Sequence, residues 1–76
     1  MKNVVLPELG EGIEKASVSF WFIKEGDPVK EKDDLVELTT EKAAFNLPCP
    51  FSGRLAQIIF HEGDSVKVGE TLALIE

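Results

Sequence analysis

The chain has 76 residues, 14 acidic and 8 basic, for a net charge of −6, and 43% of it is hydrophobic. That length holds one domain of folded rather than disordered composition. The acidic excess argues against nucleic acid and anionic membrane, both of which attract basic patches. A lone cysteine, Cys49, forbids an internal disulfide. No apolar run approaches the roughly 20 residues of a spanning helix, and the start, MKNVVLPELGEG, lacks the apolar stretch and cleavage site of a signal peptide.

In chain order, six segments predict strands: VVL (4–6), ASVSFWFI (16–23), LVELT (35–39), AAFNL (43–47), RLAQIIF (54–60) and TLALIE (71–76). They are β-branched, aromatic or alternating. Gly, Pro and Asp fill the separators, as in EGDP, PCPFSG and EGDS. No segment shows a capped helical period. Short strands with frequent turns indicate an all-β sandwich or flattened barrel. Gly26 and Gly63 are expected to supply positive φ, with Asp27 and Asp64 bonding turn amides and Gly53 serving a further turn. Phe20, Trp21, Phe22 and Ile23 are expected to pack mostly in the core.

The halves repeat. EGDPVKEKDDL (25–35) matches EGDSVKVGETL (62–72) at an offset of 37 (62 − 25). Upstream, LPELGEG (6–12) matches LPCPFSG (47–53) at an offset of 41 (47 − 6), which pairs Leu6 with Leu47 and Gly12 with Gly53. Two related sheets are implied, with four extra residues in the first half (41 − 37), expected as a loop around IEKA (13–16).

Little here suggests bond chemistry. His61 has no neighbouring ligand for a metal, Cys49 sits between two prolines, no glycine-rich loop precedes a helix, and no carboxylate pair stands out. Lys42 is different. Only Thr40, Glu41 and Lys42 separate two strands, so the segment reads as a tight hairpin with the lysine at or beside its tip, open to a modifying enzyme.

With LPELGEGI, W-x-x-K-E-G-D-x-V (21–29), TEKA (40–43), P-x-P-x-S-G (48–53) and EGDSVKVGETLALIE in place, the chain resembles the lipoyl domain of the acyltransferase (E2) component of 2-oxo acid dehydrogenase complexes, over essentially all 76 residues. The resemblance implies a flattened β-barrel of two four-stranded antiparallel sheets with a pseudo-twofold. It implies lipoic acid in amide linkage to Lys42, with Glu41 in place of the usual Asp and Ala43 matching the family's Ala, both read by the ligase. Thr39 stands where Glu is frequent, and Lys32 stands opposite Gly69 as a surface change without consequence. The implied role is carriage, with no catalytic residue and no metal in this domain. The thiamine diphosphate-dependent E1 would acylate the arm, the E2 catalytic domain would pass the acyl group to coenzyme A, and the FAD-dependent E3 would reoxidise the dithiol. A lipoate ligase or lipoyl transferase would load it.

The loop EGIEKA (11–16), with Glu11, Gly12, Ile13 and Glu14, is expected near Lys42 to help E1 selection. LGEGI leans toward pyruvate or branched-chain complexes over 2-oxoglutarate. Residues 1–76 would be the N-terminal part of a longer dihydrolipoyl acyltransferase, bacterial and cytoplasmic, or in the mitochondrial matrix if eukaryotic. Two alternatives remain: a biotin carrier, whose lysine lies between methionines, and an unmodified docking module of the same fold.

Overall fold

The computed structural model describes residues 1–76. It contains eight strands and no helix: β1 Lys2–Val5, β2 Lys15–Trp21, β3 Pro28–Val29, β4 Asp34–Thr39, β5 Ala44–Pro48, β6 Gly53–Ile58, β7 Ser65–Lys67 and β8 Thr71–Ile75. They form two four-stranded antiparallel sheets, ordered β1-β8-β6-β3 and β5-β4-β2-β7. Two of these strands, β3 and β7, escape the sequence pattern because two or three residues are too few to show alternation.

The core lies between the sheets and is wholly apolar. Alternation aims Ala16 and Val18 of β2 and Leu38 of β4 inward, and they meet Leu55, Leu72 and Ile75 from the other sheet. No polar or charged residue is buried.

The aromatic run splits instead of burying. Trp21 and Ile23 pack against the core, and the Trp21 indole N–H donates to the Phe60 carbonyl at 3.0 Å. Phe20 and Phe22 lie outside, about 40% exposed, their rings edge to face at 4.6 Å. A register shift between Val18 and Phe20 is followed by the outward placement of Phe20.

The pseudo-twofold is written into the hydrogen bonds at the offset of 37. Val18 N–H donates to the Asp64 carbonyl at 2.9 Å, and Leu55 N–H donates to that of Asp27 at 3.0 Å. In return Gly63 N–H donates to Val18 and Gly26 N–H to Leu55. Even the register shift recurs, between Leu55 and Gln57. The turns repeat too: Asp27 accepts from the Lys24 amide and Asp64 from the His61 amide. Gly26 and Gly63 have φ of 92° and 90°, the left-handed conformation that glycine adopts without penalty.

The upstream match is different from the one the sequence suggests. Leu6 exchanges backbone bonds with Gly69 and Glu70, and Cys49 does the same with Lys32 and Asp33. Leu6 is therefore the twin of Cys49, at an offset of 43 (49 − 6). Gly53 is the twin of Ala16: each pairs with the other half's short strand, Gly53 with Val29 and Ala16 with Val66. Prolines recur at 48 and 50, so Pro7 has two candidate partners, and letter identity selects the wrong one. The first half thus carries six extra residues (43 − 37), all ahead of β2. Lys15 and Ala16 belong to that strand, with Ala16 buried, and not to the loop.

Two other expectations change. Gly53 opens β6 instead of making a turn; a Cβ there would lie 2.1 Å from the Glu76 carbonyl oxygen. Lys32 is not an inconsequential surface residue. Its φ is 77°, matching 93° at Gly69, and its half completes the same turn with a side chain in a region that costs L residues energy.

Candidate functional site

The β4–β5 hairpin ends at the pair Thr39 and Ala44, which leaves Thr40, Glu41, Lys42 and Ala43 to reverse the chain. Thr40 organises this turn. Its amide donates to the Ala43 carbonyl at 2.8 Å, and its hydroxyl donates to the same oxygen at 3.0 Å. The hydroxyl oxygen accepts from the amides of Lys42 at 3.2 Å and Ala43 at 3.1 Å. The amides on both sides of the Lys42 Cα are thus held by one side chain. The sequence points to Glu41, Lys42 and Ala43 but not to Thr40, for which a threonine at the opening of a short reversal is the available signal.

Glu41, Lys42 and Ala43 are all exposed. The one ion pair within 4.0 Å in the protein joins Arg54 and Glu76, so the Lys42 ammonium is held by no carboxylate. The hairpin base is tied sideways into the sheet by a bond between the hydroxyls of Ser19 and Thr39. A rigid turn with a free amine at its crest fits a covalent modification made by another protein.

The loop before β2 comes alongside. Ile13 N–H donates to the Gly10 carbonyl at 3.2 Å, and Val68 N–H donates to that of Glu14 at 2.9 Å, which pins the loop to the strand region after β7. Gly12, Ile13 and Glu14 share an open groove of about 580 Å³ with Thr39, Thr40 and Glu41. Glu11 does not join it; it borders a separate depression with Glu8 and Val68.

The other candidates lie elsewhere. Cys49 is buried, its thiol directed to the Phe51 carbonyl at 3.0 Å. His61 is exposed on its turn, and no group of His, Cys, Asp and Glu is arranged to hold a metal. No helix is long and apolar enough to cross a membrane.

Comparison with known proteins bears on this geometry. The family model described as biotin-requiring enzyme, covering biotin and lipoyl attachment domains, matches residues 2–75. The chain is 37% identical over 71 residues to the dihydrolipoyllysine-residue acetyltransferase component of the pyruvate dehydrogenase complex of Staphylococcus epidermidis. It is 42% identical over 74 residues to the succinyltransferase component of the 2-oxoglutarate dehydrogenase complex of Bartonella vinsonii. These matches cover 93% and 97% of the chain but only 16% and 18% of the relatives. Among solved structures, the lipoyl domain of the 2-oxoglutarate dehydrogenase complex from Azotobacter vinelandii aligns with a TM-score of 0.79 and 29% identity, covering all of this chain and 96% of that one. The urea carboxylase of Kluyveromyces lactis shares the fold, with a TM-score of 0.74 at 20% identity over 7% of its length.

Proposed function

We propose, because this chain belongs to the biotin and lipoyl attachment family and is a lipoyl domain of the E2 acyltransferase type, that it carries acyl groups on lipoate joined by an amide to the Nζ of Lys42. The observation that carries this reading is the turn itself: an exposed, unpaired lysine at the crest of a reversal closed by four Thr40 hydrogen bonds. Amide formation removes the ammonium charge. Bound there, lipoate supplies a dithiolane that is reversibly reduced and acylated. The protein's own part is to hold the attachment point away from its body and to offer Glu41, Ala43 and the adjoining loop residues to whichever enzyme approaches.

The topology supports a carrier. β2 starts beside the hairpin, where Ser17 pairs with Thr39, and runs toward the turn whose Gly26 and Asp27 bond Leu55. Leu55 pairs with Ile75, which pairs with Lys2, so both chain ends meet at the end of the sheets away from the Lys42 hairpin. A linker at either end leaves the crest unobstructed. In a longer acyltransferase this domain would serve the thiamine diphosphate-dependent E1, the coenzyme A-using E2 catalytic domain and the FAD-dependent E3. Tethering would hold local concentrations near the millimolar range. Gly12, Ile13 and Glu14, beside the hairpin, are suited to discriminate between E1 partners.

The test is intact mass after incubation with lipoate, ATP and a lipoate ligase. The wild-type chain gains one lipoyl group, and Lys42→Arg gains none. A gain retained in Lys42→Arg, or a folded wild-type chain that gains nothing, overturns the assignment; the second result favours a docking module.

A further inference from the structure

The groove beside Lys42 has an unusual floor. In the pairing of β2 with β7, Lys15 stands directly opposite Lys67 and Ser17 directly opposite Ser65. Ser17 in turn faces Thr39 of β4. Alternation puts these five exposed residues on one outer face, with Ala16, Val18 and Val66 pointing inward. All five border the groove that the hairpin borders.

Like charges directly opposed across antiparallel strands destabilise a sheet. In a chain with 14 acidic residues and 8 basic ones, two lysines meet here. Edge defence accounts for Lys67, because β7 is an edge strand. It gives no reason for Lys15, because β2 lies between β4 and β7. Glu14 and Glu41 border the same groove, yet neither carboxylate comes within 4.0 Å of a lysine nitrogen. Two ammoniums and a row of hydroxyl donors form a receptor for one small oxyanion.

Its place identifies the anion. Ser17 pairs with Thr39, the last residue of β4 before the Lys42 turn, and Lys15 lies two residues from Ser17 on the side of that turn. Strand spacing puts β2 about 5 Å and β7 about 10 Å from β4, the strand that leads into the turn. A lipoyl-lysine arm folded back along the sheet spans that distance. We propose that Lys15 and Lys67, assisted by Ser17 and Ser65, hold the free carboxylate of a dicarboxylic acyl group carried on the arm. This rests on the assignment of Lys42 as the attachment point. It names a substrate class, 2-oxo acids with a second carboxylate, and runs against the lean of LGEGI toward neutral acyl groups.

The test isolates charge from shape. Isotope-labelled domain, lipoylated and checked by intact mass, is reduced with a phosphine. Its arm thiols are then alkylated with ω-iodobutyrate or with the neutral ω-iodobutyramide; a carbon–sulfur bond forms, iodide leaves and the thiol proton goes to solvent. Cys49, 1% exposed, is shielded in the folded chain. Amide spectra should show shifts at Lys15, Ser17, Ser65 and Lys67 for the carboxylate arm that the amide arm lacks, and those shifts should vanish in Lys15→Gln/Lys67→Gln and collapse with added salt. Identical spectra for the two arms, or shifts that persist in the double variant, overturn the proposal while leaving the Lys42 assignment standing. Failure to gain lipoate at the first step overturns both.

Discussion

Ala16 and Gly53 occupy the same place in the two halves, each paired with the short edge strand beside its own strand. Ala16 buries its methyl in the core, whereas a methyl at Gly53 would overlap the Glu76 carbonyl. The connections leading into them differ as well. Two residues, Phe51 and Ser52, separate Pro50 from Gly53, while the corresponding stretch before Ala16 is six residues longer and reaches the groove beside Lys42. The shared parts, the turns and the inward side chains, carry stability. The parts present once, the hairpin crest and the long loop, carry the features that bear on carriage.

That division can be broken in several ways. Leu55→Ala, in the fully buried core, should cost about 2–5 kcal/mol and bring a chain this small close to unfolding. Chemical denaturation would show it; a loss below about 1 kcal/mol would mean that the sheets collapse onto the gap. Gly53→Ala should cost roughly 2 kcal/mol or more, because the obstructing atom is backbone and cannot rotate away. Ala16→Gly, at the twin position, should cost only about 1 kcal/mol. Similar losses at the two positions would dissolve the contrast.

Thr40→Val keeps the shape and removes the turn's hydroxyl. A loss of about 1 kcal/mol is expected, with slower lipoylation at saturating ligase. An unchanged rate would mean that the crest need not be ordered for the enzyme. The smallest effect should come from Lys32→Gly, which relieves a left-handed lysine and copies Gly69. A gain of about 0.5–1 kcal/mol is expected, because relief of strain competes with the added freedom of the unfolded chain.

How legible this was in advance depended on whether a feature is local. The hairpin was readable because two strand patterns leave only Thr40, Glu41 and Lys42 between them. The turns at Gly26 and Gly63 were readable because glycine followed by aspartate is turn chemistry. The match of Leu6 with Cys49 was hidden, since a leucine and a buried thiol share a backbone role but no letter. The outward faces of Phe20 and Phe22 follow a register shift that composition does not display. The opposition of Lys15 and Lys67 joins residues 52 apart in sequence (67 − 15) through a strand of only three residues, and no local pattern announces it.

Because the family includes both biotin and lipoyl carriers, the most direct measurement offers the folded domain a lipoate ligase and a biotin ligase together, each with its own acid and ATP, and locates the product by peptide mass spectrometry. Lipoate on Lys42 alone, with Lys15, Lys67 and the remaining lysines untouched, is the outcome this account predicts. Biotin on Lys42, or lipoate at any other lysine, would contradict it.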